Sequence, residues 1–318
     1  MKEKIVFLDS STVDYGDIDF SMLKELGDLS CYSITGSSQA AERCRDATIA
    51  ITNKVVFNAE LISQCPDLKF IAVAATGYNN IDQAEAKKNN IAVANVPGYS
   101  TSTVVQLTMT FILALSTNLI KYNEAAHDGT WSRSAIFTLG TWPFFDLEGK
   151  TIGIMGLGSI GKEVARLCTA FGMNVIALKR DEKVNDSPYP RVSLDDLAAQ
   201  SDFVSIHMPL TDYSKYLVNS DFLSHMKKTA FLINMARGPI VEPSALCSAL
   251  EKGIIAGAAI DVMEKEPPQS DDPLLKAPNL IITPHIAWAS IESRRRLVYE
   301  ISENIKAFLG GVKRNIVS

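Results

Sequence analysis

The sequence predicts an α/β protein built from two doubly wound, mostly parallel sheets. Three observations carry that prediction. Short apolar runs of strand length alternate with helix-length segments in two separate blocks, the pattern of repeated βαβ units. The second block opens on a strand, a turn of form G-x-G-x-x-G and a helix. At 318 residues the chain is longer than one core usually serves.

In the first block, Lys4–Leu8, Leu29–Ile34, Ala47–Ile51, Phe70–Ala74 and Ile91–Ala94 are of strand length, and each lies close to turn or capping residues. Ser21–Leu26, Ala40–Arg45, Ala59–Gln64 and Gln83–Asn89 read as short helices between them. One long helical pattern, capped by Ser100 or Thr101, runs from Thr101 to about Ala126. The segment Gly129–Gly149 breaks periodicity yet holds Trp131, Trp142, Pro143, Phe144 and Phe145, too apolar for a solvated loop. It reads as an arm that packs on a second subunit or folds back on its own domain.

The second block carries six strand-like runs: Thr151–Met155, Asn174–Leu178, Phe203–Ile206, Phe231–Asn234, Ala256–Ile260 and Leu280–Thr283. Helical segments such as Ser159–Phe171 and Pro243–Lys252 separate them, the pattern of a dinucleotide-binding domain. The stretch Glu266–Pro278 is a loop by its prolines, and Ser290–Leu309 reads as a closing helix. The nucleotide-binding block therefore sits mid-chain. The simplest arrangement inserts residues 99–286 into a first domain made of 1–98 and 287–318, with the active site in the cleft between domains.

Composition excludes several classes. Hydrophobic residues are 47% and charged residues 21%, ordinary for a globular enzyme. The net charge is −5 with basic residues scattered, which argues against a nucleic-acid or anionic-membrane partner. The most apolar helical stretch, Val104–Ile120, is interrupted by Gln106, Thr108, Thr110, Ser116, Thr117 and Asn118, so no membrane span is expected. Met1–Asp9 enters a strand directly, without the pattern of a signal peptide. Five widely spaced cysteines with no C-x-x-C pair read as reduced thiols of a cytoplasmic protein, and no metal site is expected.

In the turn, Gly156 permits a tight bend, Gly158 lets backbone N–H groups approach a pyrophosphate, and Gly161 lets helix and strand pack closely. The helix start offers unpaired N–H donors and a positive dipole end to the phosphates. The end of the next strand decides the nucleotide. An acid there would bind the ribose of NAD; here the residues are Lys179-Arg180-Asp181. Two cations suit a 2′-phosphate, which favours NADP(H). The alternative is that both point to solvent and Asp181 bends back to the ribose.

Hydride transfer to a ketone needs a proton donor beside the carbonyl and a cation for the substrate. Among four histidines, His127 and His225 lie in polar helical contexts. His207 ends a strand near the cofactor and reads as structural or cofactor-neighbouring. His285 follows the last strand at the exit from the nucleotide-binding block and is the best acid/base candidate.

At these residues the chain resembles the D-isomer-specific 2-hydroxyacid dehydrogenase family, over almost its whole length. The carriers are Ala75-Thr-Gly-Tyr-Asn-Asn-Ile-Asp82, Asn95-Val-Pro-Gly98, Gly149–Gly161, Ile233-Asn-Met-Ala-Arg-Gly238, Asp261-Val-Met-Glu-Lys-Glu-Pro267 and Pro284-His-Ile-Ala287. The resemblance implies a Rossmann domain inserted into a flavodoxin-like substrate domain, and a catalytic set of Arg237, Glu266 and His285. Arg237 would bind the substrate carboxylate and keto oxygen through its planar fork. Glu266 would favour the imidazolium of His285 and hold its tautomer. His285 would give a proton to the keto oxygen.

The resemblance further implies that Thr76 and Gly77 hold the substrate carboxylate through backbone N–H groups, with Thr76 also near the nicotinamide. Ser159 and Ile160 match pyrophosphate contacts, Asp261 matches a carboxamide contact, and Met235 and Ala236 line that pocket. Pro284–Ser290 with Glu292 and Arg294 looks most like the glycerate dehydrogenase (hydroxypyruvate reductase) branch. There Trp288 would set a bulky ring near the active-site mouth and suit hydroxypyruvate or glyoxylate. The implied enzyme is an NAD(P)H-dependent homodimer that reduces a small 2-keto acid to the D-2-hydroxy acid. The alternatives are a 3-phosphoglycerate or D-lactate dehydrogenase of the same family, and a dinucleotide-sensing module like the corepressors built on this fold.

Overall fold

Two parallel sheets, of five and seven strands, organise the chain. The computed structural model describes residues 2–179 and 188–317. The chain divides into two units, one of Met1–Ser100 with Trp288–Ser318 and the other of Thr101–Ala287.

The first unit alternates β1 (Lys4–Phe7), α1 (Ser21–Leu26), β2 (Asp28–Cys31), α2 (Ser37–Cys44), β3 (Ile49–Thr52), α3 (Ala59–Ser63), β4 (Phe70–Val73), α4 (Gln83–Lys88) and β5 (Ala92–Ala94). The strand order is β2-β1-β3-β4-β5, the flavodoxin-like arrangement. Every residue of β3 and β4 is buried, as expected of parallel strands covered on both faces. The edge strand β2 is largely exposed. Asn58 and Asp82 start α3 and α4 by accepting the N–H groups of Leu61 and Glu85.

A closing helix, Ile291–Leu309, completes this unit. Ser290 caps it, and Leu297, Val298, Ile301 and Ile305 bury one stripe against Ile5, Phe7 and Phe70. Each such burial contributes roughly 1.5–3 kcal/mol relative to exposure. Phe308 stacks on Phe70 at 4.5 Å, and Arg294 forks onto Asp17 at 2.5 and 2.7 Å.

The second unit comprises α5 (Thr101–Thr117), α6 (Leu119–His127), β6 (Thr151–Met155), α7 (Ser159–Ala170), β7 (Asn174–Leu178), β8 (Arg191–Val192), α8 (Leu194–Gln200), β9 (Phe203–Ile206), α9 (Ser220–His225), β10 (Phe231–Asn234), α10 (Pro243–Glu251), β11 (Gly257–Ile260) and β12 (Leu280–Ile282). The order β8-β7-β6-β9-β10-β11-β12 is that of a Rossmann sheet with one strand added. The strand beyond the classic six is the edge strand β12. Six strands were expected from the sequence, and the one not foreseen is β8. It pairs Ala177 with Arg191 and Leu178 with Val192, too short to give a periodic signal. Alternate residues feed two cores: Leu232 and Ala258 enter one, Ile233 and Ala259 the other.

The helix expected over Thr101–Ala126 is two helices, bent by 64°. Asn118 sits between them in the left-handed region at φ 50°, and its side-chain amide donates to Pro143 O at 2.5 Å. No single helix among the described residues is long and apolar enough to cross a membrane.

The segment after α6 divides in character. Trp142 packs edge-on against Tyr122 at 5.1 Å, and Phe145 joins a ring stack with Phe231 and Phe203 in its own unit. Between α6 and these contacts, Ile136 and Phe137 stand exposed.

Candidate active site

The glycine turn links β6 to α7. Gly156 has φ 102°, and a Cβ there would lie 2.6 Å from Met208 N. A Cβ on Gly161 would lie 2.2 Å from Gly156 O, so the helix can pack on the turn only with glycine there. Gly158 differs, because a Cβ there meets nothing within 4 Å. That open space faces the start of a twelve-residue helix with no side-chain cap, where Ser159 is exposed and Ile160 half-buried. Free N–H donors, a positive dipole end and room beside a glycine fit a pyrophosphate.

His207 lies where β9 ends, beside this turn: a Cβ on Gly156 would come 2.8 Å from His207 C. Its Nε2 pairs with Ser205 Oγ at 2.8 Å, while Nδ1 is buried without a hydrogen-bond partner among the described residues. Burial pushes the imidazole down to about 3, so the ring is neutral near pH 7. That suits a group facing a ligand's polar atom and does not suit a general acid. Lys179, at the end of β7, is exposed, and its N–H donates to Val192 O at 2.8 Å. Arg180 and Asp181 lie outside the described residues.

Three neighbouring strand ends, those of β10, β11 and β12, carry the catalytic candidates. After β10, Asn234 is buried and ties the turn to itself. Its Nδ2 donates to Arg237 O at 2.9 Å, and its Oδ1 accepts Ala236 N–H at 3.1 Å. Arg237 is half-buried, with NH1 donating to Ala236 O at 2.8 Å. Met235 is buried in one core and Ala236 packs against the other. Gly238 must be glycine, because a Cβ would lie 2.1 Å from Met263 C.

After β11, Glu266 uses both oxygens. Oε1 accepts Met263 N–H at 2.9 Å and Oε2 lies 2.7 Å from His285 Nδ1. A carboxylate only accepts, so Nδ1–H donates, and the proton that can be exchanged is the one on Nε2. His285 itself has φ 55°, a left-handed conformation unusual for a residue with a Cβ. Asp261 is buried and accepts Thr283 Oγ1–H at 2.5 Å, Ile286 N–H at 2.9 Å and Ala287 N–H at 2.9 Å. Burial pushes its carboxyl up, opposed by those bonds. The brace from Asp261 to Thr283 is not visible in the sequence. No local pattern joins residues 22 positions apart; a buried acid at a strand end was the available signal.

In the first unit, the Thr76 loop leaves β4. Thr76 Oγ1 donates to Val96 O at 2.9 Å, and Asn95 Nδ2 donates to Thr76 O at 2.7 Å. The backbone N–H groups of Thr76 and Gly77 make no hydrogen bond among the described residues. Trp288 packs on the apolar core of this unit, its ring edge-on to Tyr99 at 6.3 Å.

A Rossmann sheet, a phosphate turn and a histidine–carboxylate pair define a nicotinamide-dependent dehydrogenase. Residues 109–287 match the family model described as D-isomer specific 2-hydroxyacid dehydrogenase, NAD binding domain. The chain is 36% identical to a hydroxypyruvate reductase of Blautia hydrogenotrophica, over 99% of each protein. It is 38% identical to a glycerate dehydrogenase of Methylorubrum extorquens, over 100% of this chain and 99% of that one. Among solved structures it is similar to the D-lactate dehydrogenase of Aquifex aeolicus complexed with NAD and lactic acid. There the TM-score is 0.85 and the identity 30%, over 99% of each chain. The chain belongs to the D-isomer specific 2-hydroxyacid dehydrogenase family.

Proposed function

We propose that this enzyme reduces a small 2-keto acid, hydroxypyruvate or glyoxylate, to the corresponding D-glycerate or glycolate, reversibly and with NAD(P)H. The observation that carries the reading is the 2.7 Å contact between His285 and Glu266, which fixes the imidazole with Nε2 available for proton exchange. The kinship to hydroxypyruvate reductase and glycerate dehydrogenase supports the substrate class.

In this reading a bound nicotinamide supplies the hydride. His285 gives its Nε2 proton to the keto oxygen and takes it back in the oxidative direction. Glu266 stabilises the imidazolium and its orientation. Arg237 holds the keto oxygen and carboxylate in a planar fork. Thr76 and Gly77 offer unpaired N–H groups to the carboxylate, and Trp288 limits the size of the substrate. Gly156, Gly158, Ser159, Ile160 and Gly161 receive the pyrophosphate. Asp261 accepts three hydrogen bonds of the roughly four a carboxylate can take, which leaves one site for a nicotinamide carboxamide beside Met235 and Ala236. The exposed Lys179 favours a 2′-phosphate and hence NADP(H). Exposed Ile136 and Phe137 suit a homodimer contact, and five free thiols suit a reducing cytoplasm.

Initial rates with hydroxypyruvate and glyoxylate, each with NADH and NADPH, test the reading. Turnover of either acid, falling on the order of 10²–10⁴-fold in Arg237→Ala and His285→Ala, is the expected result. Wild-type turnover in either variant overturns the assignment. A strong NADH preference overturns the role given to Lys179.

A further inference from the structure

We propose that Thr283 and Asp261 form a clamp that positions His285 for proton transfer, and that Thr283 is therefore a positioning residue of the reaction. The inference rests on the reading of His285 as the proton donor.

The clamp is built at one strand end. Asp261 directly follows β11, and its N–H donates to Asn234 O at 3.1 Å, which fixes its backbone to the neighbouring strand. Thr283 directly follows β12, and its N–H donates to Ile260 O at 3.0 Å. From this rigid base the Asp261 carboxylate receives one hydroxyl and two backbone N–H groups. The donors sit at positions 283, 286 and 287, on both sides of His285. Within the loop, His285 N–H donates to Thr283 O at 3.0 Å, which closes a tight turn around Pro284.

The conformation so enforced is uncommon for a residue with a side chain. At φ 55° the Cβ is crowded, and such a residue persists only where its surroundings over-determine it. Three hydrogen bonds to one buried acceptor do that here. The direction of the ring follows from the backbone conformation, so the clamp also sets the approach of Nδ1 to Glu266. The shortest of the three bonds, 2.5 Å, comes from Thr283. Its hydroxyl is the one donor of the three that a side-chain substitution can remove without disturbing Asp261.

The test compares Thr283→Val, Thr283→Ala and Thr283→Ser in the purified enzyme. Measured quantities are kcat, the dissociation constant of the reduced cofactor by nicotinamide fluorescence, and the solvent deuterium isotope effect on kcat. Removal of the hydroxyl by Val or Ala is expected to lower kcat on the order of 10-fold or more and to raise the isotope effect, as a misplaced acid makes proton transfer limiting. Cofactor affinity should change by less than about threefold, and Ser should recover most of the rate. Wild-type kcat and isotope effect in both Val and Ala overturn the proposal. So does a rate loss matched by an equal loss of cofactor affinity, or one that Ser fails to recover. His285→Ala runs beside them. If that variant keeps full turnover, the reading of His285 fails and the clamp with it. If it loses turnover while the Val and Ala variants do not, only the clamp fails.

Discussion

Glu266 holds His285 by its Nδ1 at 2.7 Å while its other oxygen is held by Met263 N–H at 2.9 Å. The carboxylate is thus oriented before any substrate arrives, and the imidazole inherits that orientation. Glu266→Gln keeps the shape and removes the charge. The expected outcome is a fall in keto-acid reduction of roughly 10- to 10²-fold. His285→Asn should lose on the order of 10²–10⁴-fold. Initial rates of both variants, measured beside the wild type at one neutral pH, check this.

Arg237 follows from the same strand-end logic. Asn234 pins the turn through Arg237 O and Ala236 N–H, so the guanidinium leaves a fixed backbone. Lysine at this position keeps the charge and loses the fork. Arg237→Lys is expected to lower kcat/KM on the order of 10²-fold, with most of the loss in KM for the keto acid, because a point charge cannot contact two oxygens in one plane. A variant with unaltered KM would show that the arginine does not bind substrate.

The glycine turn makes a contrast testable with two alanines. Gly158 has ordinary backbone geometry and open space where a Cβ would stand, so Gly158→Ala should fold as well as the wild type. A methyl group there occupies the room expected for the pyrophosphate. Its melting temperature without cofactor should equal or exceed that of the parent, and added NAD(P)H should raise it little. Gly161→Ala meets Gly156 O at 2.2 Å and must move the helix, so it should melt lower with or without cofactor. Thermal melts of both variants with and without NADPH decide the matter.

Much of this is legible in the chain because it is local. Runs such as Phe203–Ile206 and Phe231–Asn234 are buried on both faces and read directly as parallel strands. The turn Gly156–Gly161 is contiguous. What escapes depends on context. Asn118 breaks the helix with no glycine or proline to announce it, and the break is stabilised by Pro143, 25 positions away. Strand β8 exists only because β7 offers an edge to two residues. The Asp261 brace needs strands β11 and β12 to be neighbours, a fact of topology. The position of His207 at a strand end points to the cofactor turn, but its neutrality follows from its desolvation in the folded chain, which the sequence does not state.

That neutrality has a consequence for stability. The folded-state value of His207 is about 3 against 6.5 for the exposed ring, so the folded protein binds fewer protons than the unfolded chain throughout that interval. Stability contributed by this group is therefore complete above about pH 6.5 and is lost as pH falls toward 3. The slope is about 1.4 kcal/mol per pH unit where the unfolded ring is charged and the folded ring is not. Between about pH 7 and pH 5 this amounts to about 2 kcal/mol. His207→Asn removes the titrating group, so its stability should fall less than that of the wild type over the same range. The carboxylates and the remaining histidines titrate in both proteins and cancel in the difference. Urea unfolding of the cofactor-free enzymes at several pH values across that range measures the difference, and parallel pH dependence in the two proteins would show that His207 takes up its proton equally in the folded and unfolded chains.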